Sequence, residues 1–216
     1  MRVKICCIAS VAEARAAIFA GAHALGLVSA MPSGPGPIDD ETARTIALAT
    51  PPGVSAFLLT ARTHGEAIAD HAAEVAVPVV QIVRHIDPRE HTVIRRALPT
   101  LKIVQVVHVE DPSALELARG YAITADALLL DSGRPGEAVE ELGGTGRAHD
   151  WKISRQIVSV VDKPVWLAGG LTAFNVGEAI ATVRPFGVDL CSGVRTLGKL
   201  DVRKLSAFMA AVRVAS

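Results

Sequence analysis

Little in this sequence supports a disulfide framework, a charged polymer partner or a membrane span. It has only three cysteines, Cys6, Cys7 and Cys191. Three cannot all pair, the adjacent Cys6 and Cys7 would close a strained ring, and a reducing compartment keeps them as thiols. The net charge is zero, with 22 basic against 22 acidic side chains. The basic residues form no clustered tract, so no nucleic-acid or anionic-membrane partner is expected. No stretch approaches the apolar length of a bilayer span, and MRVKICC runs directly into a strand pattern without the apolar core of a signal peptide. The expected address is the cytoplasm. Also missing are a GxGxxG fingerprint after the first strand and the lysine and hydroxyl spacing of a P-loop. His85, His108 and His149 lack the spacing of a zinc motif, so no metal is expected.

What is present is repetition. Half of the 216 residues are apolar, enough for one full core without a linker. Short strand-like runs recur at VKICC (3–7), ALGLV (24–28), VSAFLL (54–59), VPVVQIV (77–83), KIVQVV (102–107), ALLL (127–130), PVWLA (164–168) and GVDLCS (187–192). Alanine-rich stretches with helical spacing separate them. Ser10, Asp39, Asp111 and Thr172 stand where helix caps belong, and Gly21 where the first helix closes. Eight strands alternating with helices predict a parallel sheet closed as a single (β/α)8 barrel domain over residues 1–216. An open doubly wound sheet is the competing fold, disfavoured because the pattern reaches an eighth unit unbroken.

A barrel strand points alternate side chains inward, and functional groups collect at the carboxyl ends. In the first strand Val3 and Ile5 suit the layer under the helices, leaving Lys4 and Cys6 facing in, with Cys6 at the mouth. Cys7 then belongs to the opposite face or to the turn beyond, as a small buried hydrophobe. Strand eight neighbours strand one in a closed barrel, so the inward Asp189 is expected to pair with Lys4 beneath the pocket. Glycine-rich turns after strands six, seven and eight read GGTGR (143–147), AGGLT (168–172) and CSGVR (191–195). Their backbone N–H groups suit a phosphate. The candidates are Gly144, Thr145, Gly146, Gly169, Gly170, Ser192 and Gly193.

KICC with its short helix, LLLDS, GGTGRAHDW, LAGGLTAFNV and VRPFGVDLCSGV, in that order, resemble the signature segments of the phosphoribosylanthranilate isomerase family of tryptophan biosynthesis. The resemblance spans essentially the whole chain. It implies a (β/α)8 enzyme that carries out an Amadori rearrangement of an N-linked aminoaldose phosphate without metal or organic cofactor. It also implies Cys6 as general base and Asp131 as general acid, since the sugar ring must be opened by an acid and C2 deprotonated by a base. Other readings remain: a paralogue acting on another aminosugar phosphate, or a non-catalytic phosphosugar-binding protein, as a monomer or a homodimer.

Two segments depart from the family pattern. Where the family carries an arginine for the aryl carboxylate, SAMPSGPGPIDD (29–40) has no cation. Where the family reads QLHG, this chain reads QIVR (81–84). Arg84 is therefore a candidate for the missing positive charge, against its reading as a solvated surface arginine.

Overall fold

In a computed structural model, which describes residues 1–32, 34–133 and 149–215, the alternation resolves into a closed barrel of eight parallel strands. The strands are β1 (Arg2–Ile5), β2 (Ala24–Val28), β3 (Ser55–Thr60), β4 (Val79–Ile82), β5 (Lys102–His108), β6 (Ala127–Asp131), β7 (Val165–Leu167) and β8 (Gly187–Leu190). Between them run α1 (Val11–Ala20), α2 (Asp40–Ala49), α3 (Gly65–Val75), α4 (Arg89–Ala97), α5 (Ala114–Ala122), α6 (Trp151–Val160) and α7 (Val176–Val183), with α8 (Val202–Ala215) after β8. Each strand pairs with its successor, and β8 closes on β1 with Lys4 opposite Asp189 and Ile5 opposite Leu190. The open-sheet alternative is thereby excluded.

The period-two alternation of the strands sorts the core into two layers. Outward-facing Val3, Ile5, Leu25, Leu27, Leu58, Val80, Ile82, Leu128 and Leu130 pack under the helices. Buried alanines such as Ala14, Ala17, Ala72 and Ala179 let the helices approach closely. Inward-facing Cys6, Ala24, Phe57, Val79, Val104, Leu129 and Trp166 fill the barrel itself. Phe57 and Trp166 meet edge to face with centroids 5.9 Å apart. The barrel is therefore packed, and its cavity lies at the carboxyl ends of the strands.

Local signals account for the helix starts. Ser10 accepts from the Glu13 N–H and Asp39 from the Thr42 N–H, both in extended backbone, as side-chain caps do. Gly21 closes α1 at φ 104°, a left-handed conformation that costs glycine nothing. Two expected caps are displaced. Asp111 accepts from the Ser113 N–H in a turn ahead of α5, whose cap position is Ser113. Thr172 opens a turn in which its N–H donates to Asn175 Oδ1, so the cap position of α7 is Asn175. In both, a polar side chain builds a turn of its own before the helix begins. No helix among the described residues is long and apolar enough to cross a membrane.

Candidate active site

Strand β1 ends at Ile5, two residues short of the expected boundary, but the Cys6 N–H still donates to Leu190 O at 2.9 Å and extends the ladder by one bond. This holds Cys6 at the inner edge of the barrel mouth, buried to 7% exposure. Its sulfur fits there because β2 carries Gly26. A Cβ at that position would stand 2.7 Å from Cys6 Sγ and 3.1 Å from Lys4 Nζ.

Below Cys6, Lys4 is fully buried and its Nζ lies 2.8 Å from Asp189 Oδ2. The expected pairing is therefore present. Burial opposes the ammonium charge, but the Asp189 carboxylate, helped by the neighbouring thiols, more than offsets it and raises the Lys4 pKa. Asp189 Oδ1 is buried with no hydrogen-bond partner among the described residues and lines the cavity.

Asp131 ends β6 beside His108 on β5 and accepts the Ser132 N–H at 2.7 Å. Desolvation raises its pKa, moderated by His108 and by that N–H. Going from β6 to β1 by the shorter arc, the barrel passes through β7 and β8. The turns after those two strands therefore lie between the carboxyl group and the thiol. Gly169 and Gly170 adopt φ 83° and 62°, open to glycine, and their N–H groups donate to no other group among the described residues. Ser192 and Gly193 form a single 3-10 turn after β8. Cys6, Asp131, Gly169, Gly170 and Ser192 line one cavity that opens to solvent. Gly193 instead packs against the Leu171 carbonyl, with no room for a Cβ. Gly144, Thr145 and Gly146 lie outside the described residues.

Cys7 takes the turn beyond the strand, one of the two places expected for it, and is buried. Its backbone turns to φ 62°, so its side chain returns to the cavity wall rather than the outer layer. Of the two expected places the turn is the one realised, because the strand has already ended. Gly36 of the β2–α2 connection packs so closely on it that a Cβ there would stand 2.6 Å from Cys7 Cβ. Other contributors escape a reading of the sequence. Arg195, in the small hairpin strand β9 (Arg195–Thr196), donates to the carbonyls of Cys6 and Cys7 and pairs with Glu13 at 3.2 Å, fixing the turn that presents Cys6. Gln81, buried on β4, lines the cavity with an Oε1 that has no partner among the described residues. Only the fold brings these residues together.

Arg84 is half-buried immediately after Val83, a lining residue, and its carbonyl accepts from Gln105 Nε2 at 2.8 Å. The described lining contains no arginine, lysine or histidine. His149 follows suit: burial lowers its pKa to about 4, leaving it neutral near Gly169.

A thiol and a desolvated carboxyl at the strand ends, with glycine turns between them, place this chain in the class of (β/α)8 barrel isomerases that handle phosphorylated sugars. Comparison with known proteins narrows the class. The family model for N-(5'phosphoribosyl)anthranilate (PRA) isomerase matches residues 3–211. A Methanocella arvoryzae N-(5'-phosphoribosyl)anthranilate isomerase is 37% identical over 99% of this chain and 98% of its own length. Isomerase 2 of Methanosarcina mazei is 39% identical over 90% and 86% of the two chains. The crystal structure of the Thermus thermophilus enzyme covers all of both chains with TM-score 0.84 at 30% identity. The chain belongs to the N-(5'-phosphoribosyl)anthranilate isomerase family.

Proposed function

We propose that this protein rearranges N-(5'-phosphoribosyl)anthranilate to its aminoketose isomer in tryptophan biosynthesis, with Asp131 as general acid and Cys6 as general base. Asp131 gives its proton to the ring oxygen while the nitrogen lone pair forms C1=N and the C1–O bond breaks. Cys6, as thiolate, takes the C2 proton, giving an enolamine. Proton gain at C1 and loss from the C2 hydroxyl then yield the ketone, so no electron leaves the molecule. The observation that carries this reading is the pairing of a raised carboxyl with a thiol across one cavity. An acid that keeps its proton toward neutrality and a polarisable base on separate walls are what the two steps require.

Gly169, Gly170 and Ser192 seat the phosphate through main-chain N–H groups, with Gly144, Thr145 and Gly146 assigned the same role from sequence. The unpartnered oxygens of Gln81 and Asp189 accept from sugar hydroxyls. The assignment fits a cytoplasmic, small-molecule enzyme. Its direct test is turnover: purified protein mixed with fresh phosphoribosylanthranilate should extinguish the substrate's fluorescence. A rate no higher than the protein-free control refutes the assignment.

Two variants probe the geometry. Gly26→Ala forces the Cys6 sulfur aside, since the new methyl group would overlap it. The expected result is a kcat about 10 to 100 times lower with KM little changed, because a displacement near 1 Å at the reacting atom is that costly. Arg84 is assigned to the aryl carboxylate from the wall that Val83 begins. Arg84→Ala should raise KM about tenfold or more through loss of a charge-assisted contact. An unchanged KM removes Arg84 from the site.

A further inference from the structure

The turn that follows β4 is held by buried polar side chains along its whole length. The β4 ladder ends at Ile82, and one further bond, from the Val83 N–H to Thr60 O at 3.1 Å, carries the chain to the cavity wall. Beyond it, side chains of β5 and α5 take over. Gln105 Nε2 donates to Ile82 O at 3.3 Å and to Arg84 O at 2.8 Å. His108 Nε2 lies 2.8 Å from Val83 O, and since a carbonyl only accepts, that nitrogen carries the ring proton. The His108 N–H reaches His85 Nε2 at 3.4 Å. Tyr121, the only tyrosine of the chain, accepts the Ile86 N–H at 2.8 Å and donates to Ile86 O at 2.7 Å. Each residue of the run 82–86 is thus bonded to Gln105, His108 or Tyr121.

These anchors are themselves fixed. Gln105 points outward from β5, between the inward Val104 and Val106, and its Oε1 accepts from His91 Nε2 at 3.0 Å. His91 Nδ1 then accepts from the Thr124 hydroxyl at 2.8 Å. The ring centroids of His85 and His91 lie 6.2 and 5.8 Å from that of Tyr121. Gln105, His91, His108 and Tyr121 are all buried, where a polar group left unpaired is costly. A plain connector runs over the surface and needs no such set. Here the set serves the one segment that carries Val83 and Arg84.

We propose that Gln105 and Tyr121 are positioning residues for substrate specificity: they preform the turn after β4, so that Arg84 meets the aryl carboxylate without that turn having to order on binding. This role rests on the assignment of Arg84 to the carboxylate. A guanidinium on a mobile turn loses affinity to the ordering of the turn, and a preformed one does not. Neither Gln105 nor Tyr121 lines the cavity, so each acts through the turn alone. His108 shares the anchoring but also stands opposite Asp131 in the register, so the test falls on the other two.

Tyr121→Phe removes one hydroxyl and keeps the ring, and Gln105→Met removes the amide at similar volume. Two aminoketose phosphates, each with its ketone reduced to an alcohol so that it cannot react, serve as probes. One carries the anthranilate carboxylate and the other is built on aniline, which lacks it. Wild type should bind the carboxylate probe more tightly. In either variant, calorimetric titration should give a Kd about tenfold higher for the carboxylate probe and within about twofold of wild type for the aniline probe. In turnover the same split should appear as a raised KM at little-changed kcat. In an Arg84→Ala background neither change should alter Kd further, because the group being positioned is gone. Hydrogen exchange at the Ile86 amide should speed up about tenfold or more in Tyr121→Phe, with β1 and β8 unchanged. Equal weakening of both probes makes the anchors merely structural and overturns the proposal. So does wild type that binds both probes alike, a pair of variants that keep the wild-type preference, or an effect that persists undiminished without Arg84. If wild type discriminates the probes as expected but does not turn over phosphoribosylanthranilate, the isomerase assignment fails and the positioning role stands.

Discussion

Asp131→Asn should lower kcat by about 10² to 10⁴-fold while making the folded protein more stable near neutral pH. The two effects have one origin. Asp131 ends β6 in the cavity wall, and desolvation raises its pKa above that of an unfolded chain. The native state therefore binds more protons than the unfolded state between the ordinary carboxylate range and the raised value. Stability falls as pH rises through that interval. Its contribution is fully present below the unfolded pKa and lost above the folded one. Asparagine keeps the shape and removes the charge, so the variant's denaturant midpoint should exceed wild type by an amount that grows with pH across the window. In wild type, turnover should decline as pH rises through the same value, because the proton to be donated is gone. Cys6→Ala should cost a comparable factor in kcat, without that pH-dependent gain in midpoint. An Asp131→Asn variant that keeps more than a tenth of wild-type kcat would remove the acid from the mechanism.

The barrel was legible because its signal is repeated. Eight short apolar runs, each followed by helical spacing, leave few alternatives, and errors of one or two residues at strand ends do not alter the topology. Lys4, Cys6 and Asp189 were legible by the same rule, as inward positions of adjoining strands. Asp131 was not separable from a turn carboxylate by composition alone; the resemblance of LLLDS to a family segment singled it out. What stayed hidden depends on backbone outside the repeats or on pairs far apart in the chain. For Cys7 the choice between the opposite face and the turn stayed open, because its left-handed turn lies one residue past the ladder. Gly26 looks like any strand glycine until the sulfur of Cys6 is seen over it. Arg195 and Glu13 are 182 positions apart, and no local pattern marks their meeting. Both displaced caps failed for a local reason: Asp and Thr form turns as readily as they cap helices.

Lys4→Met should cost about 3 to 5 kcal/mol of stability, the largest expected from a single change in the barrel interior. The side chains of Lys4 and Asp189 are 0% and 6% exposed, their atoms meet at 2.8 Å, and the Phe57 ring lies 5.6 Å from Nζ. Removing the ammonium leaves a buried carboxylate at the floor of the cavity without its partner, its Oδ1 already unpaired among the described residues. The variant should relieve this by protonating Asp189, so its stability should rise as pH falls. Wild type, whose Lys4 pKa is raised, keeps the contribution of that pair at neutral pH and loses it only above the ordinary lysine range. Lys4→Met combined with Asp189→Leu should recover most of the loss, because a buried pair replaced whole by apolar groups leaves no orphaned charge. Denaturant midpoints for both singles and the double variant give the coupling directly. Additive losses would mean that each group is held by something other than its partner. Stability is expected to recover without turnover, because the double variant also removes the Asp189 oxygen assigned to a sugar hydroxyl.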